Sequence, residues 1–279
     1  MEGPPLSLVE IFAMPTSLRA SSVKAAEIIS EGNFDSIFLN FSRDLTDPVR
    51  SLAEGVPYDL FLKRVKELNL VPEPFNSWRY WAEPILLAIR GIINRKKHLK
   101  VWCYRLPDSI RFSAKVATEV ARLTLRTSLT GKIKVDEWSD LIERFMKFSR
   151  GSLEKEAKFI SKRIREVKRS ICLSDMTGRI LKDLLLKMGI NATLRYPFLP
   201  YHFVPIEVLT RIIRFKILDK TEKDRRITQI VKNHISFIRE YVLTSQTYDE
   251  AYFRWIKKAA SWMRIKNYPL GLSLKDWRL

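Results

Sequence analysis

Residues 7–41, SLVEIFAMPTSLRASSVKAAEIISEGNFDSIFLNF, decide the fold class. The first run, SLVEIFAM, and the last, DSIFLNF, are short and apolar, as extended strands are. Between them Leu18, Val23, Ala26 and Ile29 recur at helical spacing, and Gly32 and Asn33 close that helix. Strand, helix and strand in so short a span predict a βαβ unit, which calls for a parallel pair and a right-handed crossover.

The same order returns late in the chain. RSICLSDMTGRILKDLLLKMGINATLRYPF (169–198) reads as strand, tight turn, helix and strand, with Gly189 placed as the helix stop. Between the two units, YDLFLKRVKELN (58–69) is an amphipathic helix, and another follows at about 77–95. In that helix Arg79 and Glu83 are spaced to pair, and Pro84 predicts a kink or a break. KHLKVWCYRLP (97–107) reads as a third strand, the next sixty residues as helix, and everything from about 204 onward as helix. The expected architecture is α/β: an open, mostly parallel sheet with a large helical insert (about 110–170). Residues 1–203 form the α/β domain and 204–279 a basic helical region.

Composition narrows the chemistry. Cys103 and Cys172 fall inside apolar runs and read as small buried hydrophobes. Neither belongs to a C-x-x-C pair. His98, His202 and His234 are scattered without metal-binding spacing. There is no Walker A loop, no G-x-G-x-x-G and no G-x-S-x-G elbow, and no metal or cofactor is implied. The opening segment lacks a secretory pattern, and no run approaches a membrane span, so a cytoplasmic protein is expected. Two glutamines beside so many charged residues suit the ion-pair-rich proteins of a thermophile, and point to a prokaryotic source.

Charge is the strongest signal. The chain carries 50 Lys and Arg against 31 Asp and Glu, a net +19, yet residues 1–50 are acidic on balance. The excess concentrates in 151–200 and 251–279, where a polyanion would be met. In 152–169, Leu153, Ala157, Ile160, Ile164 and Val167 form one face. Lys155, Lys158, Lys162, Arg165 and Arg169 form the opposite one, about 200° away. Glu154 and Glu156 then fall in the first turn, where the helix dipole favours acids. A solvated surface helix would show the same pattern.

A second basic helix opens at Thr247 and Glu250 with capping-box spacing. Arg254, Lys257, Lys258 and Arg264 ride on its polar side, with Trp255 and Trp262 at the seam. Cations interleaved with aromatics hold phosphates and stack bases, although tryptophans at a seam are also good core residues.

The turns after the strands are where an open α/β sheet places ligands. Asp44, Asp108 and Asp175 stand there, with Arg43, Arg105 and Arg179 beside them. The acids would hold a hard cation and the arginines an anionic substrate. Each acid also has a local explanation: Asp108 and Asp175 as helix N-caps, Asp44 as a turn residue.

Over about residues 8–200 the order of elements, with fragments such as SIFLNFSRD (36–44) and VWCYRLP (101–107), resembles the TraB/ChaN-like superfamily, which includes erythromycin-esterase-like proteins. The resemblance implies an α/β fold with its site at three turns. There the family would carry a Gly-Thr-x-His type turn, a glutamate and a Gly-x-Gly-His type turn. This chain has Met14-Pro15-Thr16-Ser17, Asn40 and Ser174-Asp175-Met176-Thr177, so the residues of the family's hydrolase chemistry are replaced.

The expectation is therefore a non-enzymatic protein that binds nucleic acid, DNA or RNA, or an assembly containing it. A metal-dependent hydrolase or transferase built on the strand-end aspartates is one alternative. An interaction subunit for an acidic protein partner is the other.

Overall fold

The computed structural model describes residues 8–165, 167–214 and 220–263, the side chains of 259–263 excepted. The chain divides into two compact units, Met1–Tyr201 and His202–Leu279.

The first unit is an α/β layer structure. Strand β1 (Leu8–Ala13) leads through helix α1 (Arg19–Glu31) to β2 (Ser36–Ser42). A helical stretch follows, with α2 (Thr46–Ala53), α3 (Tyr58–Glu67), α4 (Phe75–Ile89) and the short α5 (Ile92–Arg95), before β3 (Lys100–Arg105). Two long helices, α6 (Pro107–Thr130) and α7 (Val135–Ile164), make the insert. The unit finishes with β4 (Arg169–Ser174), α8 (Gly178–Lys187) and β5 (Asn191–Arg195). The five strands form one all-parallel sheet of order β3-β2-β4-β1-β5.

That order corrects the expectation of a paired β1 and β2. They run parallel, but β4 lies between them, and β1 in turn lies between β4 and β5. The two βαβ units are thus interleaved in one sheet, each skipping one place. Local pattern is silent here, because it records that a strand exists and not which strand it adjoins.

Alternation of side chains divides the core into two layers. Phe12, Ile37, Leu39, Val101, Cys103, Ile171 and Leu173 pack against α1 to α5 on one face. Val9, Ile11, Phe38, Tyr104, Cys172 and Ala192 pack against α7 and α8 on the other. The first two connections travel one way along the sheet and the last two the other way. Opposite faces are what a single hand of crossover then requires.

Pro84 neither breaks nor ends its helix, since α4 runs through it. A proline cannot donate to the carbonyl four residues back. That carbonyl, of Tyr80, instead accepts from the Arg19 guanidinium, which also pairs with Glu83 at 2.7 Å. Arg79 reaches Glu83 at 3.9 Å. The break expected nearby falls at Gly91, whose φ of 65° suits glycine and separates α4 from α5.

The second unit holds α9 (Pro205–Arg214), α10 (Lys220–Phe237), a π-helical turn at Ile238–Val242 and α11 (Tyr248–Met263). Its core includes Trp255, which lies 5.5 Å from Phe237 in an edge-to-face contact and 6.2 Å from Tyr252. Among the described residues no helix is long and apolar enough to cross a membrane.

Candidate nucleic-acid interface

The basic helix of residues 152–169 is the C-terminal part of a longer one. α7 begins at Val135 and ends at Ile164, so Glu154 and Glu156 sit in mid-helix rather than in a first turn. Arg169 is not on the helix at all and opens β4, where its backbone amide donates to Asp35. The remaining four cations are placed as their spacing predicts. Leu153, Ala157, Ile160 and Ile164 are buried against the sheet, while Lys155, Lys158, Lys162 and Arg165 are exposed on the other side.

Some cations of this unit are matched with acids, Arg144 with Glu119 at 2.9 Å and Lys134 with Glu137 at 3.0 Å. Among the described residues no carboxylate pairs with Lys155, Lys158, Lys162 or Arg165. Of the two acids that flank Lys155, Glu154 pairs with Arg150 at 4.0 Å and Glu156 points inward and is engaged by Arg105. The stripe therefore presents net positive charge that the protein does not neutralise.

One flank of the stripe continues into a cluster of guanidinium and aromatic groups. Arg43 lies 4.0 Å from the Phe159 ring centre and Arg163 lies 3.5 Å from it. Arg163 also stands 4.6 Å from the Trp102 ring, and Arg50 lies 4.0 Å from that ring. Five side chains from the turn after β2, from α2, from β3 and from α7 thus form one cluster, in which the Phe159 and Trp102 rings meet edge to face, 6.5 Å apart. Cation–π attraction of about 0.5–2 kcal/mol per contact holds three like charges together. Arg43 is fixed further by bonds to the Tyr104 carbonyl (3.1 Å) and the Lys155 carbonyl (3.3 Å). Burial lowers its pKa, against the pull of Glu156 and with the push of Arg163. Sequence reasoning singled out Arg43 alone among these five, for a different role. The i, i+4 spacing of Phe159 and Arg163 was the one local signal available, since the others come from distant segments.

The strand-end residues form a separate, closed cluster. Arg105, at the end of β3, donates to Glu156 (3.1 Å), Asn40 (3.0 Å), Asp175 (2.9 Å) and Ser109 (3.2 Å). Burial disfavours its charge, but Asp175 and Glu156 outweigh that and raise its pKa. Glu156, 1% exposed, also accepts from the Leu106 amide at 2.9 Å, and its burial pushes its own pKa up against the opposing guanidinium. Asp175 accepts from the Thr177 amide at 2.8 Å, an Asx turn leading into α8.

Asp108 is not a cap. It lies in the first turn of α6, with its side chain 80% exposed, and pairs with Arg111 at 2.8 Å. Asp44 is exposed in the single 3-10 turn after β2. The three aspartates do not converge: among the described residues no group of three potential ligands is placed to hold a metal. The space at this edge, bordered by Thr16, Asn40 and Ser174, is about 30 Å3, one water's share of volume.

In the second unit Trp255 is 3% exposed and has no free face for a base. Arg254 is spent on the preceding turn, donating to the Thr244 carbonyl (2.9 Å) and to Ser245 (2.7 Å). Lys257 and Lys258 are exposed. The side chain of Trp262, and Arg264, lie outside the described residues.

No family model, curated protein or solved structure matches this chain.

Proposed function

We propose that the protein binds nucleic acid through its phosphates, without catalysing a reaction on it, using the exposed face of α7. The observation that supports this is the row Lys155, Lys158, Lys162 and Arg165, exposed and without carboxylate partners, continuous with the Arg43 and Arg163 cluster. Stabilisation by ion pairs would match such cations with acids. An unmatched row gains its energy when phosphates replace its counterions. Binding of this kind suits a cytoplasmic setting.

The test is fluorescence anisotropy with labelled nucleic acid over a range of salt. Each phosphate contact contributes about 0.9 to the slope of log K against log salt on a duplex. Replacing Lys155, Lys158, Lys162 and Arg165 together by alanine is expected to flatten that slope by about 3 to 4 and to weaken binding by orders of magnitude near physiological salt. Circular dichroism should be unchanged. Wild-type binding that ignores salt, or a variant that binds as well as wild type, overturns the proposal.

A further inference from the structure

We infer that the nucleic acid is a duplex, gripped by phosphates on either side of a groove and not by its bases; this rests on the function proposed above. Single strands are held chiefly by stacking on aromatic side chains, at about 1–3 kcal/mol per base. Of the aromatics beside the stripe, Phe148, one heptad before Lys155, is stacked on Phe112 with ring centres 4.1 Å apart. Phe159 carries Arg43 and Arg163, at 4.0 and 3.5 Å. Trp102 carries Arg50 and Arg163, at 4.0 and 4.6 Å. A base stacking on Phe159 or Trp102 would compete with guanidinium groups, of which Arg43 is also fixed by two backbone carbonyls. The rings thus hold charges in place.

The cation row has a matching length. At 1.5 Å rise per residue, the ten steps from Lys155 to Arg165, the residue that caps α7, span about 15 Å, against about 12 Å for the width of the major groove of B-form DNA. Its two ends therefore reach phosphates of both strands. Leu153, Ala157, Ile160 and Ile164 fix the helix to the sheet, so the row is a rigid ruler. A rigid ruler suits the regular lattice of a duplex better than a strand that must be ordered on binding.

The experiment compares a 20-base-pair DNA duplex, the corresponding RNA duplex and each of their strands by anisotropy, at one salt concentration near 100 mM and again near 50 mM. The expected result is that a duplex binds at least tenfold tighter than either of its strands. The DNA and RNA arms show which duplex the row fits, and either one bound ahead of its strands supports the inference. Strands bound as tightly as their duplex, or more tightly, overturn it while leaving the proposed function standing. No binding of any probe at the lower salt removes the proposed function itself.

Discussion

Arg105 shows what one residue can hold. Its guanidinium joins β2, α6, α7 and the turn after β4, and it faces two carboxylates, those of Glu156 and Asp175. Replacing one member of a buried charge pair leaves the other uncompensated, at about 3–5 kcal/mol. Arg105→Leu is therefore expected to cost that much in urea denaturation, and a loss below about 1 kcal/mol would refute the account. Arg105 and Asp175 were visible in the sequence as strand-end residues. Their joint partner Glu156 was not, because a glutamate on a basic helix gives no sign of pointing inward. His234 offers a second test at this scale. Burial alone lowers its pKa to about 4, against 6.5 when free. Between those values the unfolded chain binds a proton that the folded one refuses, so stability rises with pH through this window and is lost as pH falls. The loss amounts to about 3 kcal/mol by pH 4. His234→Leu is expected to flatten the stability curve between pH 6.5 and 4 by about one proton, and curves parallel to wild type would refute it.

Elements show where local pattern suffices. The strands, α1 and the buried face of α7 follow from spacing, since a period of two or of 3.6 is written in the residues themselves. The start of α7 was not legible. Gly151, just before the stretch read as a basic helix, lies inside α7, where it costs about 1 kcal/mol relative to alanine and is tolerated because the helix is packed on either side. Contacts between elements were equally hidden. At Gly178, the first residue of α8, an added Cβ would stand 2.8 Å from the Ala13 Cβ and 3.3 Å from Ile11 of β1. That approach sets the distance of helix to sheet. Gly178→Val is expected to destabilise the protein by about 1–3 kcal/mol through overpacking, as measured by thermal denaturation. An unchanged midpoint would mean that α8 shifts freely.

Over the whole molecule, charge and fold are separate levels of information. The net +19 was plain from the sequence, but which cations it leaves unmatched depends on which acids the fold turns inward or pairs elsewhere. The cluster of Arg43, Phe159, Arg163, Trp102 and Arg50 likewise exists only once the turn after β2, α2, β3 and α7 are assembled. Strand order has a consequence of its own for the growing polypeptide. The first strand, β1, pairs only with β4 and β5, whose residues begin at Arg169. At synthesis rates of about 5–20 residues per second, β1 leaves the ribosome on the order of ten seconds before any partner does. Helices formed from local contacts, α6 and α7 among them, have formed by then. The nascent chain thus carries an apolar, unpaired segment with Val9 and Ile11 throughout most of its translation, and the sheet joins up only once β4 is inserted between β1 and β2.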